Sequence, residues 1–172
     1  MILIALFYWF SLTNINENSH HCHGSEIGYI KEGKLFVSLD TLKFKNYLES
    51  QIIDLPDTKL DKIEIRKDFT IGEKQELYYM VIAYDRDKSL KIAHWLIRVN
   101  DNFYFYKNKK MPNSVSEVFY YSYYLCYGTD VACFPKVSHT DGNYIWKGTD
   151  QPNCPINDNC KGGQKFVFDG EF

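Results

Sequence analysis

The chain has 172 residues, 45% of them hydrophobic and 17% aromatic, with a formal net charge of −2. That composition supports one domain with a real core and excludes a disordered chain. The near balance of charge, with Lys107, Lys109 and Lys110 as the tight basic cluster, excludes nucleic acid as the main partner, since phosphate binding needs a concentrated basic surface.

Met1 to Leu12 reads MILIALFYWFSL, an apolar run of signal-peptide length that is too short to span a bilayer. Residues 1–13 are therefore read as an export signal and the mature protein as secreted or periplasmic, without an integral membrane segment. The alternative is a retained, buried first strand in a cytoplasmic protein. Residues 14–26 are polar and aperiodic, a lead-in that contains His20-His21-Cys22-His23. Imidazole and thiolate suit copper or zinc, so these four residues are the candidate metal ligands, although neighbours in an extended chain point to opposite sides. No other cofactor is indicated.

Residues 27–125 are read as the folded domain. Ile27 to Leu39 carries apolar residues around Lys31-Glu32-Gly33-Lys34, a hairpin pattern. Asp40 is placed to cap a helix on which Phe44, Leu48, Ile52 and Leu55 recur at helical spacing before Pro56 ends it. Ile63-Glu64-Ile65-Arg66 alternates as a short strand does. Leu77 to Tyr84, Leu90 to Val99 and Phe103 to Tyr106, separated by Asp and Asn turns, predict three antiparallel strands in succession. On the second of these, Ala93, Trp95, Ile97 and Val99 form the expected core face, and His94 shares the mixed face with Arg98.

Residues 126–172 are read as a loop-dominated tail, rich in Gly, Asp, Asn and Pro, which such composition leaves in need of staples. Cys126, Cys133, Cys154 and Cys160 follow the spacing C-x6-C-x20-C-x5-C. In an exported chain this points to two disulfides, with three connectivities open, rather than to zinc, whose structural sites use shorter gaps. Lys165 to Phe168 is a candidate last edge strand.

Three functional readings follow. The preferred one is a binding or interaction module of unknown ligand whose aromatic surface includes Tyr120, Tyr121, Tyr123, Tyr124 and Trp146, because rigid amphipathic rings give contact area at little entropic cost. The second is metal binding at the N-terminal cluster. The third is a hydrolase using His94, with Asp85 or Asp87 nearby, or His139; no nucleophile elbow, zinc-protease motif or phosphate loop occurs in the sequence.

The ensemble of Leu77 to Tyr84, Leu90 to Tyr106 and the cysteines from Cys126 on resembles small exported proteins of unknown function from Bacteroidetes-type bacteria. That resemblance implies an architecture and no activity. The expected fold is α+β, with one main helix packed on an antiparallel sheet of four to five strands, in the helix-then-meander order of cystatin-like or nuclear-transport-factor-like domains.

Overall fold

The computed structural model describes residues 23–51, 58–106, 120, 122–128, 133–148 and 160–166. The first hairpin pairs β1 (His23–Lys31) with β2 (Lys34–Val37). Its turn residues Glu32 and Gly33 have φ of 52° and 73°, the left-handed pair that matches the twist of the flanking strands. Asp40 then caps α1 (Thr41–Gln51), its Oδ1 accepting from the amides of Leu42 and Lys43 at 3.1 and 3.0 Å.

Next come β3 (Leu60–Phe69), the two-residue β4 (Ile71–Gly72), β5 (Leu77–Asp85), β6 (Leu90–Val99) and β7 (Asn102–Tyr106). The expected meander is present, as β5, β6 and β7 pair antiparallel in order. The remaining strands are β8 (Ser122–Gly128), β9 (Lys136–Thr140), β10 (Asn143–Lys147) and β11 (Cys160–Phe166).

β6 is the axis of the sheet. β5 holds it over Lys91 to Leu96, while β8 pairs Leu90 to His94 and β7 takes over from Ile97 to Val99. The series β3, β5, β6, β7, β1, β2 is continuously hydrogen bonded, and β2 comes back beside β3. The result is a nearly closed antiparallel barrel from which β8 and β11 extend as a wing. Gly28 makes the closure feasible: a Cβ there would lie 2.1 Å from the Phe36 carbonyl oxygen and 2.3 Å from Cδ1 of Ile65 on β3.

The α+β expectation is thereby corrected. The protein is mostly β, and one helix on a sheet of four to five strands, in a cystatin-like or nuclear-transport-factor-like order, does not describe it. The physical reason lies in β5. Its unbroken apolar run buries both faces, as strands covered on two sides do. Tyr79, Val81 and Ala83 enter an inner core with Ile92, Leu96, Phe103 and Ile65, into which α1 inserts Phe44 and Leu48. Tyr78, Met80, Ile82 and Tyr84 enter an outer core with Ala93, Tyr124, Val137 and Trp146.

The tail supplies that outer cover, so its description as loop-dominated is also corrected. β9 and β10 form a hairpin across Asp141 and Gly142, with φ of 50° and 73°. β4 runs parallel to β9, and Lys136 reaches back to Asp68 on β3 with its Nζ 2.7 Å from Oδ2. β1 begins at His23, within the stretch read as a lead-in. Of the expected last strand, Lys165 and Phe166 form the end of β11, which pairs with β8, while Val167 and Phe168 lie outside the described residues.

Cys126 and Cys133 form a disulfide, Cα to Cα 5.6 Å, buried in the outer core. Among the described residues, no helix is long and apolar enough to cross a membrane.

Candidate functional site

A group of rings at the edge of the outer core, beside β10, stays half-buried. There Trp95 of β6 stacks on Tyr78 with centroids 5.0 Å apart and planes 5° apart. Tyr144 of β10 tilts against Trp95 at 5.5 Å, and Tyr120 meets it edge-on at 6.2 Å and 81°. Tyr106, at the end of β7, packs on Tyr120 at 5.1 Å. Tyr78 is buried, whereas Trp95, Tyr106, Tyr120 and Tyr144 each remain half-buried.

One carboxylate joins these rings. The Tyr144 hydroxyl donates to Oε2 of Glu76. This bond, aided by burial, pushes the Tyr144 phenol up to about 12. Burial also raises Tyr120, with the charge of Glu76 and the neighbouring Tyr106 adding to the effect.

The loop between β3 and β5 fixes Glu76 in place. Buried Thr70 receives the Glu76 amide on Oγ1 at 2.9 Å, donates its hydroxyl to the Lys74 carbonyl at 2.6 Å, and donates its own amide to the Glu76 carbonyl at 3.0 Å. The loop is locked to β9 by the Glu73 amide, 3.1 Å from the His139 carbonyl oxygen. Gly72, with φ of 104°, lies so close to that oxygen that a Cβ would sit 2.4 Å from it.

The sequence-derived candidates fall in different places. Tyr120 belongs to the cluster. Tyr123 is buried in the inner core against His94 and Tyr47, and Tyr124 stacks on Trp146 in the outer core. Both therefore serve packing, as does Trp146. Tyr121, His20, His21, Cys22 and Cys154 lie outside the described residues. Of His23 and Cys160 only the strand placement is described. Among the described residues, no three or more His, Cys, Asp or Glu side chains are grouped so as to hold a metal ion.

His94 is 5% exposed and wedged edge-on between Phe105 and Tyr123 at 4.5 Å each. Its Nδ1 donates to the Trp95 carbonyl at 2.6 Å, and burial lowers its pKa to about 4 against that bond. The face of β6 read as mixed is thus turned to the inner core, with Ile92 and Leu96 on it, and His94 has no carboxylate hydrogen bonded to it among the described residues. His139 is 7% exposed, its ring 4.9 Å from that of Tyr144, and its buried Nδ1 has no hydrogen-bond partner among the described residues.

A cavity of about 170 Å3 lies elsewhere, between the start of β1 and the first turn of α1. Ile27, Leu39, Phe44 and Phe105 form its apolar wall, with Glu26, Asp40 and Lys43 around them. Its carboxylates are engaged: Glu26 accepts from Ser38 Oγ at 3.0 Å, and Asp40 caps the helix. The Trp95 cluster is the stronger candidate because its rings converge from β5, β6, β7, β10 and the Tyr120 segment.

Sequence reasoning missed Glu76, Trp95 and Tyr106 as members of one site. Tyr78 and Trp95 carried a signal, being aromatic residues on one sheet face once β5 and β6 are paired; Glu76 carried none. Comparison of the chain with protein-family models, with curated proteins and with solved structures finds no significant match in any of the three.

Proposed function

We propose that this protein is an extracytoplasmic binding module whose ligand docks on the half-buried aromatic surface formed by Trp95, Tyr106, Tyr120 and Tyr144. The observation that carries this reading is the convergence of half-buried rings from separate strands beside an anchored carboxylate. Aromatic rings that keep part of their surface in water provide contact area with little ordering cost, which is how binding surfaces use Tyr and Trp.

Export is supported by two features. The apolar stretch from Met1 to Leu12 fits a signal segment, and the buried Cys126–Cys133 bond belongs to an oxidising compartment.

Two measurements test the reading. The intact mass of protein from an exporting host, alkylated before reduction, is expected to be that of a shortened chain with Cys126 and Cys133 unlabelled; a full-length chain with reactive thiols overturns the export assignment. A tryptophan-fluorescence screen against glycans, aromatic acids and alkylammonium compounds is expected to yield a ligand whose affinity falls at least tenfold in Tyr120→Ala. A ligand that binds equally well to Tyr120→Ala and Tyr144→Phe but is lost in His94→Asn or His139→Gln overturns the surface assignment.

A further inference from the structure

We infer that the cavity between β1 and the first turn of α1 is a second binding site, and that it takes a primary ammonium group carried on an apolar body the size of a benzene ring. The site is separate from the Trp95 cluster and goes beyond the function proposed for that surface.

Size and lining define the body of the ligand. The cavity holds about 170 Å3 and is walled by Ile27, Leu39, Phe44 and Phe105. A cavity of about 150 Å3 with Leu, Ile and Phe walls is enough to bind benzene. Ile27 and Phe44 belong to the inner core, and the Phe105 ring lies 5.8 Å from that of Phe44. The space is therefore a gap in the core where α1 enters it, and a ring seated there exchanges water for apolar neighbours.

The strand that borders the cavity is irregular at this point. Pairing of β1 with β7 shifts register between His23 and Glu26 and again between Glu26 and Gly28. In a regular strand successive side chains point to opposite faces. Here Ser25, Glu26 and Ile27 follow one another, and all three border the cavity. Bulges re-aim side chains in this way and are over-represented beside active sites. The Ser38 and Leu39 amides donate to the Ile27 carbonyl at 3.0 and 3.4 Å, which ties the link between β2 and α1 to the irregular stretch.

The exposed rim sets the head group. Oε1 of Glu26 accepts from Ser38 Oγ at 3.0 Å, and Oδ1 of Asp40 accepts from the Leu42 and Lys43 amides. Both carboxylates are thus held by one oxygen. Among the described residues, Oε2 of Glu26 and Oδ2 of Asp40 accept no hydrogen bond. A primary ammonium brings three donors and no acceptor, so it suits carboxylate oxygens that are fixed in place and still open. Two carboxylates against the single cation Lys43 also favour a positive ligand over a negative one.

Such a group occurs on free arylalkylamines and on aromatic amino acids, for whose carboxylate Lys43 supplies the counter-charge. The test titrates the full chain by calorimetry with phenethylamine, its uncharged analogue phenethyl alcohol, the anion hydrocinnamate, and the larger naphthylethylamine. Phenethylamine is expected to bind about tenfold tighter than the alcohol. Naphthylethylamine is expected to bind at least about tenfold more weakly, because its second ring overfills the cavity. Isotope-filtered NMR is expected to place the phenyl protons against Phe44 and Phe105. The double variant Glu26→Gln, Asp40→Asn keeps the acceptors for Ser38 and for α1; it is expected to weaken phenethylamine about tenfold and leave the alcohol unchanged.

Equal binding of phenethylamine and the alcohol, with NMR contacts to Phe44 and Phe105, overturns the ammonium assignment, as does unchanged phenethylamine affinity in the folded double variant. Equal binding of naphthylethylamine overturns the size assigned to the body. Contacts to Trp95 or Tyr144 in place of Phe44 overturn the cavity as the site and leave the function proposed for the Trp95 surface standing. Tighter binding of hydrocinnamate, or no binding of phenethylamine at millimolar concentration, overturns the inference as a whole. Should the double variant fail to fold, the wild-type comparison decides without it. Binding of phenylalanine at least as tight as that of phenethylamine assigns the group to an amino acid, and weaker binding assigns it to a free amine; either result supports the class.

Discussion

The Tyr144 hydroxyl donates to the Glu76 carboxylate across 68 positions of sequence, joining the β9–β10 hairpin to the loop that precedes β5. A phenol raised to about 12 favours folding below its unfolded value of 10 and loses that contribution as pH climbs from 10 to 12. Glu76→Gln removes the charge that raises it. Ultraviolet titration of the phenols is expected to show one tyrosine of the wild type that ionises near 12 and returns toward 10 in the variant.

His94 sets an acid limit. Its folded pKa of about 4 lies below the ordinary 6.5, so the unfolded chain takes up the proton more readily. The associated stability is complete above pH 6.5 and is lost as pH falls toward 4, by about 3 kcal/mol. His94→Asn, whose amide can still donate to the Trp95 carbonyl, is expected to flatten urea-unfolding free energy across that window. Glu64 acts lower down. Burial raises its pKa, yet hydrogen bonds from Lys62, Tyr84 and Arg66 outweigh this and bring it to about 2, so its contribution fades between pH 4.5 and 2.

The Cys126–Cys133 bridge closes a short loop inside the outer core. Loop-closure entropy assigns such a bridge roughly 2–3 kcal/mol. The double variant Cys126→Ser, Cys133→Ser is expected to unfold at lower guanidinium concentration by that amount, and reductant should shift the wild type further than the variant.

Gly28→Ala tests the barrel closure. The new methyl would collide with the Phe36 carbonyl, which is backbone and cannot rotate away, as well as with Ile65. A loss of at least about 2 kcal/mol is expected. The same substitution at Gly33, where an added Cβ would meet no atom within 4 Å beyond its chain neighbours, should act only through its φ of 73° and cost less.

How much of this was legible in the sequence depends on how local each feature is. The first hairpin, the Asp40 cap and the strands of the meander announce themselves through turn residues and period. The β9–β10 hairpin was legible too, because Asp141-Gly142 between Val137 and Ile145 is a strong type I′ turn signal; the weight of Gly and Asn around it disguised it as loop. The unbroken apolar character of Tyr78 to Tyr84 signalled two buried faces, but the identity of the second cover lay far along the chain. Barrel closure by β2 against β3 and the meeting of Glu76 with Tyr144 are non-local, and no spacing rule encodes them. An ionisable residue at position 94 made that face of β6 read as mixed, whereas a hydrogen bond to the Trp95 carbonyl keeps the neutral ring inside.

The late position of the outer cover has a consequence for biogenesis. The inner core is complete once the chain reaches Tyr127, but Tyr78, Met80, Ile82 and Tyr84 wait for Val137 and Trp146. During that interval the nascent sheet carries a broad oily face, the kind of surface to which chaperones bind and through which partly made chains aggregate. A premature stop between Tyr127 and Val137 therefore produces an insoluble polypeptide instead of a smaller working one, and efficient production depends on the final quarter of the chain arriving promptly.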